Sequence, residues 1–316
     1  MAAIWVIILL AILQGVLEWL PVSSEGWLIL TLNWLNEPEN ALAIALFLHL
    51  GTMVAVIIRF RKDFVLLFNY KIWKAKRSQR DENTETGVES IYNDSDNELN
   101  TKAYEQKILW KFLLLATLAT AVIGIPIYVL LKFVLAESAF YFAGGAISGG
   151  DIITMVIGLL LIGTGILILV ARKRTTQKTL FQMKNWEMLI VGAIQGLTIL
   201  PGVSRSGTTV STLLIEGVED EDALRGSFLL SVPAILGANI LTVIIDLIQG
   251  EFSLAGIPWY AMIIAFLLSG IIGYLTIDFF LWVARKLNFG WFCISVGILA
   301  VVITLIFIIL SLVSIG

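Results

Sequence analysis

Two polar residues four apart, Gln14 and Glu18, interrupt an otherwise apolar run at the start of the chain. On a helix that spacing puts both on one face, aimed at one spot. A carboxylate within a membrane helix costs ~2.5–3.5 kcal/mol on insertion scales, so it reads by default as part of a functional site. The plainer alternatives are an interfacial acid facing water for Glu18 and helix–helix glue for Gln14. The run breaks at Pro21-Val-Ser-Ser-Glu-Gly26. Ser23 and Ser24 are placed to cap the helix that follows, and either can bind phosphate or attack it if a base lies near. Glu25 suits the first turn of that helix, where the dipole favours an acid.

A second break, Pro201-Gly-Val-Ser-Arg-Ser-Gly-Thr-Thr209, is denser in chemistry. Gly202 and Gly207 permit tight turns and close backbone approach. Ser204, Ser206, Thr208 and Thr209 supply hydroxyls, and a helix starting near Ser206 presents unpaired N–H groups to an anion. Arg205 adds a planar fork matched to two phosphate oxygens. It needs an anionic partner in a membrane, and Glu18 is one candidate. A purely structural Arg205–Glu18 pair would leave the surplus of hydroxyls unexplained, so a phosphate or diphosphate site is the better reading. His49 and Asp278 are further buried ionisable groups. A lone histidine in a helix is more often packed than catalytic, but bases are scarce in this chain.

The elements that must position these groups are membrane helices. The chain has 316 residues, 58% of them apolar and 14% charged, with a mean hydropathy of +0.92. Soluble domains carry about 25% charged residues, so a water-soluble globule is excluded. The net charge of −3 says little beside the distribution of charge. One cysteine, Cys293, excludes a disulfide framework, and one histidine excludes a multi-histidine metal site. The apolar N-terminal run lacks a charged n-region and reads as structure rather than a removable signal. Six stretches are long enough to span: roughly 41–59, 108–134, 152–171, 224–248, 257–284 and 291–314. The two interrupted segments are too short, and read as re-entrant helix hairpins whose freed backbone is covered by protein.

The hairpins are copies. At an offset of 181, Gln14-Gly15 matches Gln195-Gly196, Val22-Ser23 matches Val203-Ser204, and Gly26 matches Gly207. Three spans lie between them, so the second copy is inverted. The expected architecture is an all-α polytopic membrane protein: one domain over 1–316, six transmembrane helices plus two re-entrant hairpins, in inverted repeats of about 1–172 and 186–316. Paired interruptions in inverted halves point to a site at the repeat interface. Basic residues support this topology: 11 of 21 fall between 59 and 111, and Arg172, Lys173, Arg174, Arg225, Arg285 and Lys286 fall on the same side. That side is cytoplasmic. The polar 74–106 segment reads as a flexible cytoplasmic loop, and its balanced charge argues against nucleic acid as a partner.

In these motifs the chain resembles the undecaprenyl-diphosphate phosphatase family, also known for bacitracin resistance. The resemblance rests on Gln14-Gly-Val-Leu-Glu18, Pro21-Val-Ser-Ser-Glu-Gly26 and Pro201-Gly-Val-Ser-Arg-Ser-Gly-Thr-Thr209, and runs nearly end to end apart from the 74–106 loop. It implies removal of the terminal phosphate of a polyprenyl diphosphate at the outer face of the plasma membrane, recycling a carrier lipid for envelope synthesis. It also implies a divalent cation, Mg²⁺ or Ca²⁺, and often a homodimer. By the resemblance Gln14 and Glu18 fall on the acidic, metal-associated motif, Ser24 on a proposed nucleophile, and Arg205 with Ser204 and Ser206 on the diphosphate-binding motif. One departure stands out: the histidine that follows Ser-Ser-x-Gly in the family is Trp27 here. Its role is then missing or moved, with Ser24 and Glu18, or His49, as substitutes, and Trp27→His is expected to raise phosphatase activity. The alternative is a polyprenyl-phosphate flippase, because inverted repeats with broken helices are also a transporter design.

Overall fold

A computed structural model describes residues 4–20, 22–35, 41–70, 72, 94–136, 149–174, 177–200, 202–249, 258–286 and 288–315. The two break prolines, Pro21 and Pro201, and most of the expected loop lie outside them. The apolar runs form helices: α1 (Ile4–Leu17), α2 (Ser24–Trp34), α3 (Ala41–Arg59), α4 (Arg61–Leu67), α5 (Asp94–Ala136), α6 (Gly149–Ala171), α7 (Asn185–Gly196), α8 (Arg205–Ile215), α9 (Asp220–Gln249), α10 (Trp259–Lys286) and α11 (Phe289–Ile315). Among the described residues the one strand-like contact is an isolated bridge between Lys178 and Val218.

Among the described residues five helices are long and apolar enough to cross a membrane, and α3 makes a sixth if it is joined to α4 across a 79° bend. The bend falls at Phe60, where the apolar run gives way to Arg59, Arg61, Lys62 and Asp63. Large apolar side chains such as Leu247, Leu275, Phe307 and Val313 stay exposed on the outer surface of the bundle. In water that would drive aggregation; in lipid such a surface is at home, since helices satisfy their own backbone. The two interrupted segments remain short: α1 has 14 residues and α7 has 12, about 21 and 18 Å at 1.5 Å per residue.

One expectation needs correction. The segment read as a loop over 74–106 is helical from Asp94, as the leading end of a 43-residue helix. Local polarity suggested a loop; tertiary contacts override it. Ala103 is buried, Gln106 Nε2 donates to the carbonyls of Leu66 at 2.8 Å and Leu67 at 3.1 Å, and Trp110 Nε1 donates to Leu67 at 2.9 Å. These bonds tie α5 to the frayed end of α4.

The halves exchange their packing. The first half comprises α1 to α6 and the second α7 to α11. Helix α1 packs on α10 and α7 on α5; α3 packs on α10 and α9 on α5; α6 faces α11, and α3 faces α9. These contacts exchange with one another when the halves are interchanged, as a twofold relation requires, while α6 packs on α8 as well. The repeated Gln-Gly pair shows why. A Cβ on Gly15 would stand 2.9 Å from Ile272 Cβ on α10, and one on Gly196 would stand 2.7 Å from Ile123 Cβ on α5. Only a glycine lets these short helices lie so close to their hosts.

Candidate active site

Each helix that follows a break is capped by its own sequence. Ser204 caps α8, its Oγ accepting from Gly207 N at 3.2 Å. Ser23, its repeat mate, accepts from Gly26 N at 3.2 Å. These are the N-caps expected where a chain enters a helix after a break. The tips also bind each other. Gly202 N donates to Ser23 Oγ at 3.3 Å, and Ser206 Oγ donates to the Leu20 carbonyl at 3.0 Å. Gly202 sits at φ +102°, and a Cβ there would come within 2.8 Å of the Ile157 carbonyl on α6. The conformation and the space both require glycine.

The interlock brings the charged residues together. Glu18 is buried at the end of the α1 turn, and its Oε1 receives the Arg205 Nη2. Its Oε2 accepts from Gln14 Nε2 at 2.9 Å and from Ser24 Oγ at 3.1 Å. His49, reaching in from α3, places Nε2 at 3.3 Å from Glu18 Oε2 and 3.5 Å from Ser24 Oγ. Gln14 Nε2 also reaches Thr52 Oγ1 at 3.4 Å. Four elements thus converge on one carboxylate.

Three buried polar atoms of this region have no hydrogen-bond partner among the described residues: Gln14 Oε1, Arg205 Nη1 and Thr208 Oγ1. An unpaired buried donor or acceptor costs about 1–3 kcal/mol, more when charged. Such atoms at one place are what a polar ligand would satisfy. A phosphate oxygen suits the open arm of Arg205 in charge and geometry.

Not every residue expected here faces this cluster. Thr209 donates to the Arg205 carbonyl at 2.8 Å and pairs with Ser227 on α9, so it fastens α8 to α9. Ser23, Ser206 and Gly202 join the tips, and Ser204 caps its helix. Trp27 packs on the apolar seam of Val22, Ile168, Phe289 and Cys293. Asp278 pairs with Arg59 at 2.7 Å, both side chains largely exposed, away from the cluster. Thr52 was missed in the sequence. Its signal was available: it lies three residues after His49, on the same face of α3.

The donor set does not fit a protein-held divalent cation. Among the described residues no three His, Cys, Asp or Glu side chains cluster as a metal site. Both Glu18 oxygens already face N–H or O–H donors, one of them a guanidinium. A cation at Glu18 would have to displace Arg205 or lie against its like charge.

Fold and site together define a class: a polytopic α-helical membrane protein with a buried guanidinium, carboxylate and hydroxyl where two interrupted apolar segments meet. The chain belongs to the bacitracin resistance protein BacA family, whose model matches residues 7–302. It is 35% identical over 300 residues to an undecaprenyl-diphosphatase of Methanothrix thermoacetophila, covering 94% of this chain and 95% of that one. It is 36% identical over 307 residues to one of Haloarcula marismortui, covering 96% and 97%. A third relative of that name, from Carboxydothermus hydrogenoformans, is 32% identical over 297 residues, with 94% of each chain covered.

Proposed function

We propose that this chain is a polyprenyl diphosphate phosphatase of the plasma membrane, releasing the terminal phosphate of a carrier lipid so that the carrier can be reused in envelope synthesis. One observation carries the reading: Arg205 holds Glu18 with one arm and leaves the other buried and unpartnered, while Ser24 Oγ donates to the same carboxylate. That arm, with Thr208 Oγ1, binds the diphosphate. Ser24 Oγ attacks the terminal phosphorus, and polyprenyl phosphate leaves. Charge on the transferring group is met by a fixed guanidinium in a water-poor site, where such stabilisation is strongest. In this reading the short pairs α1/α2 and α7/α8 enter the membrane from opposite faces without crossing it.

A divalent cation enters this scheme on the substrate. Mg²⁺ is commonly held largely by phosphate oxygens and water. Bound to the diphosphate, it would supply charge neutralisation that the protein's own donors do not.

The test is phosphate release from C55 and shorter prenyl diphosphates by detergent-purified protein with Mg²⁺ or Ca²⁺. Release that disappears in Arg205→Ala is the expected result. No release with lipid binding intact would overturn the reading in favour of translocation. A cavity of about 280 Å³ favours that second function. It is lined by Arg172, Arg174, Leu224, Phe228, Trp19 and Ser206. Basic and apolar walls together suit a lipid phosphate, and sidedness of labelled lipid in vesicles tests for its transport.

A further inference from the structure

The family motif places an imidazole directly after the first break; here that position is Trp27, packed into an apolar seam. The imidazole that does reach Ser24 comes from α3. We propose that His49 is a catalytic residue, the base that takes the Ser24 proton; the inference rests on the phosphatase reading above.

The tautomer follows from one bond. His49 Nδ1 lies 2.6 Å from the Ala45 carbonyl, which can only accept, so Nδ1 carries the hydrogen. In the neutral ring Nε2 then presents its lone pair, and Ser24 Oγ is 3.5 Å away. A separation of this size is common before substrate binds and tightens in the reacting complex. Glu18 also accepts from Ser24, but its Oε1 is paired with the Arg205 guanidinium and its Oε2 accepts from Gln14, so its negative charge is already offset. It is suited instead to orient the Ser24 hydroxyl and to stabilise the imidazolium, whose Nε2–H finds Glu18 Oε2 at 3.3 Å. The backbone carbonyl at Nδ1 and the carboxylate beside Nε2 thus hold the ring in place for this transfer.

The proton balance closes. As the bond from Ser24 Oγ to the terminal phosphorus forms, the hydroxyl proton passes to His49 Nε2. The bond from that phosphorus to the bridging oxygen breaks, and the bridging oxygen departs with the electron pair and receives the proton from Nε2. A water then attacks the phosphoserine, giving its proton to the freed Nε2. The phosphorus–Oγ bond breaks, and Oγ takes that proton back.

The experiment uses two readouts on the purified full chain: phosphate release, and covalent labelling of Ser24 by a fluorophosphonate, followed by intact mass. In labelling the Oγ–P bond forms and fluoride leaves, so the readout needs the base but not the lipid. Wild type is expected to label and Ser24→Ala to stay unlabelled. His49→Ala and His49→Gln are expected to label at least ~10²-fold more slowly, the usual size of a general-base contribution. Added imidazole should restore part of the rate in His49→Ala, an effect that a packing role would not produce. Trp27→His in the His49→Ala background should not restore it. Labelling of both His49 variants at the wild-type rate, or no labelling of wild type, would overturn the proposal. Recovery by Trp27→His would overturn it too, returning the role to position 27. His49-dependent labelling without phosphate release would uphold His49 as the base and overturn the phosphatase reading alone.

Discussion

Glu18 and Arg205 are separated by 187 positions and meet as a buried ion pair because two interrupted segments interlock at their tips. Removing one partner strands the other charge in a buried setting, which typically costs 3–5 kcal/mol. Glu18→Gln and Arg205→Ala are each expected to lose about that much stability and all phosphate release. The double variant Glu18→Gln/Arg205→Gln should regain most of the stability and none of the activity. Thermal unfolding in detergent beside a phosphate assay separates the two effects.

Gly202 is held at φ +102° with the Ile157 carbonyl where a Cβ would go. Gly202→Ala should cost about 1–3 kcal/mol through backbone strain. It should also push the second tip off the first. A displacement near 1 Å at a positioning element lowers rates by as much as ~10²-fold. A drop in kcat larger than the stability loss explains is the expected signature.

If the cation travels on the diphosphate, chelator should lower the rate in every active variant alike. Gln14→Ala should slow release while leaving the half-saturating Mg²⁺ concentration unchanged. A rise of tenfold or more in that concentration would place the cation on the protein instead.

Asp278→Asn should leave both stability and activity nearly unchanged. Its pair with Arg59 is largely exposed, and such pairs contribute about 0–1 kcal/mol.

Gln106→Leu should loosen the leading end of α5. The carbonyls of Leu66 and Leu67 lose one donor each and keep Asn69 N and Trp110 Nε1, a loss of about 0.5–1.5 kcal/mol per bond. Hydrogen exchange should rise over 98–107 while α9 to α11 keep their protection.

The last case shows where reading from sequence stops. The spans, the two breaks and the opposed charges Glu18 and Arg205 were legible, because length, hydropathy and a costly buried charge are local properties. The helical state of 94–106 was not. Its residues are polar and its charges mostly acidic, and what holds them as a helix is a glutamine reaching the end of another helix. The direction taken by Trp27 was equally hidden, since a motif position names a residue but not the seam it packs into. His49 was visible only as an isolated histidine; its worth comes from the Ala45 carbonyl, which sets its tautomer, and from a serine on a different helix. Thr209 looked like a ligand for phosphate because hydroxyls cluster along that stretch. Its partner on α9 becomes visible only once α8 and α9 are packed.

The exchange of packing between the halves also sets the order of events during synthesis. Helix α1 is made long before its host, α10, which does not begin until Trp259. Until then Gly15 lacks Ile272, the side chain it lies against. The second short helix is different: its host, α5, is already in place when α7 emerges. The newborn chain therefore carries α1 without its main packing partner for most of translation, and Glu18 gains its guanidinium only once the second break has been made. A ribosome stalled before Trp259 would hold a protein with every group of the site already made but α1, which carries Gln14, still without its host.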